Sequence, residues 1–316
     1  MSSEYARASK PREIEGVLDT FLIRPMGYAL VLLLKRTPIT PNLVSIASVL
    51  AALGAAIAWF DRTLIGAVTG LGFMLLTSAL DSADGQLARA TGRMTEFGRF
   101  LDGLCDNASF LVLYLAIALS YRAHVGTGFG WVLLLGAVAG ASHSAQGAAA
   151  EYARMLWLHY TIGSAEVARE RPEYLRGHLQ SSAGLLARLF LRLHFNYSVQ
   201  QRLLLPGADA LQRAHEQAVA ARPALREWFG ERYAAENRRL VGMWFVGASN
   251  IHKVGLVAFA FLPHLVASPF VRGWDQALYF GWVLLLNVPL VLLVRRQAQS
   301  DRGLRAELER AVTALG

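Results

Sequence analysis

The chain has 316 residues, 54% hydrophobic and only 17% charged, with a mean hydropathy of +0.34. A water-soluble domain of this length carries more charge and shorter apolar runs, so that class is excluded. A net charge of +8 and a pI near 9.9 invite a nucleic-acid reading, but the placement of the basic residues assigns them to membrane topology, so no nucleic-acid partner is expected.

Residues 1–40 carry several charges before the first apolar run, so that run is not read as a cleavable signal peptide. Within 12–36, Ile14, Val17, Leu18, Phe21 and Leu22 share one face with charges opposite, and Pro25 breaks the pattern. This predicts an amphipathic helix lying in the cytoplasmic interface. Thr40-Pro41-Asn42 then opens the first membrane segment, with proline in the turn where it costs least.

Apolar runs reach bilayer length, about 20 residues for a helix crossing about 30 Å, at 41–60, 64–83, 98–121, 128–150, 240–263 and 274–294. The expected fold is an all-α integral membrane protein of six transmembrane helices, four of them in 41–150 and two in 240–294. Between these sets lies a charged helical insert, 151–239, and a tail follows at 295–316.

Of the 31 Lys and Arg residues, six fall in 1–40, three (Arg89, Arg93 and Arg99) between runs two and three, thirteen in 154–239 and five in the tail. The alternate loops hold only Arg62, Arg122 and Arg272. That asymmetry predicts a bacterial-type inner-membrane protein with both termini, the insert and the 81–106 segment in the cytoplasm. Trp59, Phe60, Tyr121, Trp131 and Trp274 mark the opposite interface, and attraction to anionic membrane lipid is a secondary use of the basic residues. Inside the insert, Leu185, Leu186, Leu189, Phe190 and Leu193 form a stripe beside Arg188 and Arg192, a pattern suited to a membrane surface, and 208–221 reads as a more soluble helix.

The chemistry concentrates where runs two and three meet. Residues 81–106 read Asp81-x2-Asp84-Gly85-x2-Ala88-Arg89-x8-Gly98-x3-Asp102-x3-Asp106. A charge at mid-membrane costs roughly 2.5–3.5 kcal/mol, so four unpaired carboxylates would approach roughly 10–14 kcal/mol and need neutralising. Spacings of three and four place Asp81 with Asp84, and Asp102 with Asp106, on single helix faces. Hard oxygen ligands of this kind suit Mg²⁺, Mn²⁺ or Ca²⁺ rather than zinc, with Mg²⁺ or Mn²⁺ expected, and two such ions with the planar Arg89 fork would clamp a diphosphate. Gly85 and Gly98 leave backbone open to close approach. A carboxylate left partly free takes the proton of an attacking hydroxyl.

This segment resembles the signature of the CDP-alcohol phosphotransferases, D-x2-D-G-x2-A-R-x8-G-x3-D-x3-D, at every fixed position. The resemblance implies a six-helix membrane fold, usually homodimeric, in which an alcohol attacks a CDP-linked substrate and CMP is released. By position it implies that Asp81, Asp84, Asp102 and Asp106 bind metal and that Asp106 is also the general base. It further implies that Gly85, Ala88 and Gly98 pack against cytidine and that Arg89 contacts the diphosphate. The expected reaction moves a phosphatidyl group from CDP-diacylglycerol to a polar alcohol, such as inositol phosphate or glycerol phosphate. Transfer of a CDP-linked headgroup to diacylglycerol or ceramide is the alternative, since the motif reads only the CDP portion. A cation transporter is a remote third reading, because transporter sites lie near the midplane.

Candidates for the acceptor side are His143, Arg154, Arg238 and Arg239, near the cytoplasmic ends of their segments. For His143, helix–helix hydrogen bonding is an equal reading. Cys105, the single cysteine, reads as a packed small side chain. Lys253 lies 14 residues past Arg239, about 21 Å along a straight helix; an intramembrane lysine is a functional candidate by default, and this depth favours a structural role or snorkelling outward.

Overall fold

The computed structural model describes residues 16–314 except 166, 168–170, 182, 183 and 267. Ile14 and the basic residues before it therefore lie outside the described residues, as do the side chains of Leu185, Leu186 and Phe190. Among the described residues the chain is helical and contains no strand.

A π-helical turn at Asp19–Ile23 runs into α1 (Arg24–Leu34), with Pro25 accommodated in its first turn. α2 (Pro41–Phe60) begins at Thr40, whose side chain accepts from the Leu43 amide, and Pro41 occupies its first turn. α3 (Leu64–Thr91) is capped by Thr63, which accepts from the Gly66 amide. It ends on Gly92 at φ 66°, a left-handed position where glycine carries no Cβ penalty. α4 (Glu96–His124) follows, capped by Thr95. α5 (Phe129–Ile162) comes next.

The insert holds α6 (Pro172–Ser181), α7 (Leu185–Leu204), α8 (Ala208–Ala221) and α9 (Leu225–Met243). A 3₁₀ turn at Trp244–Gly247 then separates α9 from α10 (Ser249–Leu265). α11 (Pro269–Leu285) and α12 (Asn287–Ala314) complete the chain.

Among the described residues four helices are long and apolar enough to cross a membrane: Pro41–Phe60, Leu64–Thr91, Phe97–His124 and Pro269–Ala314. A fifth is reached if the helices on either side of Ala248 are counted as one broken span. The sequence reading counts six. The difference is α5, whose apolar start is diluted by Ser142, His143, Ser144 and Gln146 within the length of one crossing.

Cα packing divides the chain into two compact units: 1–144 with 249–285, and 145–248 with 286–316. In the first, α2 packs on α3 and α4 through small residues. Ala51, Ala52, Ala55 and Ala56 are buried, and a Cβ at Gly54 or Gly70 would strike the rings of Phe73 or Trp59. Close backbone approach of this kind is the usual route to helix association in lipid. Phe110, Leu113, Tyr114, Tyr121, Tyr279 and Phe280 fill the core. Leu50, Ile57, Ile65, Leu111 and Trp131 point outward, as lipid-facing side chains do.

The second unit has a core of a different character. Trp157, Tyr160, Phe229 and Tyr233 pack in tilted and edge-on contacts, with the rings of Tyr160 and Tyr233 4.5 Å apart. Gly230 lets α9 approach the Tyr160 carbonyl, which a Cβ would meet at 2.7 Å. Residues 295–314, taken from sequence as a separate tail, continue α12 and pack on α8 and α9. Arg232 on α9 grips Glu307 with two hydrogen bonds of 2.6 and 2.9 Å.

Candidate active site

α3 is 28 residues long, about 42 Å at 1.5 Å per residue, enough for one crossing with several turns beyond it. The motif occupies those last turns and the opening turns of α4. The link between them is short because each end is locally closed. The Gly92 amide returns to the carbonyls of Ala88 and Arg89, and the Arg93 amide to Ala88. The Gly98 amide donates to Thr95 Oγ1 at 2.9 Å. A Cβ at Gly98 would lie 3.0 Å from that hydroxyl and 3.3 Å from Asn42 Oδ1, so this glycine also serves packing. Gly85 is open apart from Arg89, whose Nη1 would lie 3.4 Å from a Cβ there. The Arg89 guanidinium thus lies over Gly85, one turn back on the same face.

The four aspartates have different surroundings. Asp84 is 3% exposed and accepts a hydrogen bond from Ser45 of α2. Asp81 and Asp106, from different helices, converge on one cation: Lys253 Nζ stands 3.3 Å from Asp81 Oδ2 and 3.8 Å from Asp106 Oδ1. Ser249 Oγ donates to Asp106 Oδ2 at 3.3 Å, and Asn250 donates to Asp19. Asp102 is half-buried one turn before Asp106 on α4. Cys105 is buried on the same helix.

Sequence reasoning missed Ser45, Asp19 and Ser249, and it misjudged the depth of Lys253. The error over Lys253 has a definite cause: the 21 Å depth assumed one straight helix from Arg239. The chain instead breaks at Trp244–Gly247 and restarts at Ser249, so Lys253 lies in the opening turns of α10. Gly247 followed by Ser249-Asn250 is the sequence signal for that restart. Far from snorkelling, the Lys253 side chain is only 7% exposed.

Carboxylates are the right chemistry for hard cations, and the Lys253 ammonium already acts as a stand-in cation between two of them. Among the described residues, however, no group of three or more His, Cys, Asp or Glu side chains is assembled closely enough to hold a metal. The residues therefore fit the ions in kind, and gathering a third carboxylate requires the cluster to tighten.

The acceptor candidates are divided. His143 belongs to the first unit and is buried, its Nδ1 3.2 Å from the Tyr114 hydroxyl, which also accepts from Tyr279 at 3.2 Å. Its ring stacks on His252 at 3.6 Å and meets Phe110 edge-on at 4.1 Å. Arg154, Arg238 and Arg239 belong to the second unit. Arg154 pairs with Glu151 at 3.6 Å, while Arg238 and Arg239 are exposed on α9. Asn287 accepts from Gln146 at 3.1 Å.

Residues 38–164, a stretch that holds the whole motif, match the family model described as CDP-alcohol phosphatidyltransferase. The family's members are transferases and generally use divalent metal ions. Among curated proteins, the archaetidylinositol phosphate synthase of Aeropyrum pernix is 40% identical over 76 residues, 24% of this chain and 38% of the relative. The archaetidylinositol phosphate synthase of Pyrococcus horikoshii is 37% identical over 83 residues, 26% of this chain and 42% of the relative. The chain thus spans about two-fifths of the length of the curated relatives it matches. No solved structure matches.

Proposed function

We propose that this protein transfers a phosphatidyl-type group from a CDP-linked lipid to a polar alcohol, releasing CMP. The observation that carries the reading is the intact motif on α3 and α4, with Asp81 and Asp106 converging on one cation. The hydroxyl oxygen of the acceptor attacks the lipid-bearing phosphorus, the bridging P–O bond of the diphosphate breaks, and CMP leaves with the bond's electrons. Asp106 receives the hydroxyl proton. Arg89, lying over Gly85, binds diphosphate oxygens, and cytidine packs at Gly85, Ala88 and Gly98, the positions the family resemblance implies. Asp81, Asp84, Asp102 and Asp106 would hold two Mg²⁺ or Mn²⁺ ions. Such ions, when bound, neutralise the diphosphate and stabilise charge on the leaving group.

The names of the two relatives favour an acceptor bearing inositol and phosphate over headgroup transfer to a lipid alcohol. His143, Arg154, Arg238 and Arg239 are assigned to that acceptor, the arginines as the anion-binding part. The topology in this reading has six spans, α5 and the broken α9–α10 segment included. The helix around α1 lies in the interface, where exposed Val17, Leu18, Phe21 and Leu22 meet lipid. Both termini and the site face the cytoplasm, as the Lys and Arg distribution supports. A homodimer completes the assembly, as the family resemblance implies.

The test is incubation of the purified protein, in Mg²⁺ or Mn²⁺, with CDP-diacylglycerol and a panel of polar alcohols that includes inositol phosphate. CMP release should require both substrates and yield a new phospholipid. Product formed only from a soluble CDP-headgroup and a lipid alcohol would overturn the phosphatidyl version. Metal flux across vesicles without CMP release would point to the transporter reading.

A further inference from the structure

Lys253 is one of only three lysines in a chain with 28 arginines, and it is the one placed inside a membrane segment. Nothing in the transfer reaction as derived above uses it. Its ammonium is nevertheless held by two motif carboxylates, Asp81 at 3.3 Å and Asp106 at 3.8 Å, with its side chain 7% exposed. The elements packed here add Ser249 on Asp106, Ser45 on Asp84 and Asn250 on Asp19, so the lysine is the cation at the centre of an acidic group. A lysine suits this place better than arginine. It is a compact point charge on a flexible four-carbon stem, able to sit between carboxylates from two helices and to leave without breaking a planar fork.

A buried cation between Asp81 and Asp106 has two consequences. It allows the two carboxylates to coexist before a metal is present, since unpaired buried charges are strongly disfavoured. It also competes with any divalent ion for the same oxygens. A ligand that offers the ammonium a new anionic partner relieves that competition, and the diphosphate of a CDP-linked substrate is such a partner.

We infer that Lys253 is a positioning residue and the resident counter-cation of the aspartate cluster. It pairs with the carboxylates that a metal would otherwise take and moves to the diphosphate on loading, so that metal and CDP-substrate bind cooperatively. This rests on the metal-dependent reading proposed above. The coupling is reciprocal: a diphosphate that draws off the lysine tightens metal by the factor that metal tightens the diphosphate.

The experiment is a Mn²⁺ titration followed by electron paramagnetic resonance on the full-length protein in detergent, with and without CDP. In the wild type, CDP should tighten Mn²⁺ binding by roughly tenfold or more. Lys253→Met should bind Mn²⁺ more tightly than wild type without CDP, by a similar factor, and the effect of CDP should shrink. Lys253→Arg, which keeps the charge, should bind Mn²⁺ no more tightly than wild type. Equal Mn²⁺ binding by wild type and Lys253→Met would overturn the inference while leaving the metal reading intact. Absence of Mn²⁺ binding in both would overturn the two together. If Lys253→Met unfolds on purification without metal, folding should be restored by purifying it in Mn²⁺, and failure to restore it would also overturn the inference.

Discussion

The motif region on α3 and α4 and the insert from α6 to α9 solve opposite problems with charge. In the first, charges lie within apolar helices and are satisfied one by one, Asp84 by Ser45 and Asp81 with Asp106 by Lys253. In the second, Arg232 pairs with Glu307 of α12 with both side chains about a third or more exposed, and most arginines face outward. A charge inside a span needs a specified partner, so its spacing is tightly constrained and readable. A charge on a solvated helix is tolerated almost anywhere, so its position says little about function. For this reason the acidic motif is legible within 26 residues, while the candidates that the proposed reading assigns to an acceptor are spread over far more.

The sharpest way to test that contrast is Asp106→Asn. It should lower turnover by about 10²–10⁴-fold, the usual worth of a general base, while CDP binding persists. Turnover within tenfold of wild type would remove Asp106 from that role. Asp84→Ala comes next. It deletes the carboxylate that Ser45 holds and should cost a hundredfold or more, on the order of 3 kcal/mol of transition-state stabilisation, with loss of the response to Mg²⁺ or Mn²⁺. A fully active variant breaks the ligand assignment.

On the insert side the effects should be smaller and confined to the acceptor. Replacing both Arg238 and Arg239 by alanine is expected to raise the KM for a phosphorylated acceptor by roughly tenfold, about 1.4 kcal/mol, with little change in KM for the CDP-lipid. Equal increases for both substrates would erase the proposed division of labour.

The smallest effect on turnover is expected at His215, within the insert. Burial, then neighbouring His159 and Arg226, lowers its pKa from 6.5 to about 4. Between those values the unfolded chain binds the proton and the folded chain does not. Stability should therefore rise with pH from about 4 to 6.5 and level off above it. His215→Asn should flatten that part of a thermal-unfolding profile against pH; an unchanged slope would show that other groups set it.

Much of this was legible from the chain alone. Thr40-Pro41 opens α2 as expected, and the first three apolar runs begin within two residues of where α2, α3 and α4 start. The helical period put each aspartate pair on one face. Lys253 was misjudged because a rise of 1.5 Å per residue holds only while the helix continues, and it stops at Trp244. The aromatic core around Tyr160 and Tyr233 was equally hidden, because its members come from α5 and α9, about seventy residues apart.

By itself the sequence determined the membrane class, the helix starts and the identity and spacing of the acidic motif, since these depend on composition and on contacts within a few turns. Tertiary structure alone decided which partner each carboxylate has. Ser45, Ser249 and Lys253 reach the motif from α2 and α10, and no local rule of spacing connects residues that meet only because helices pack.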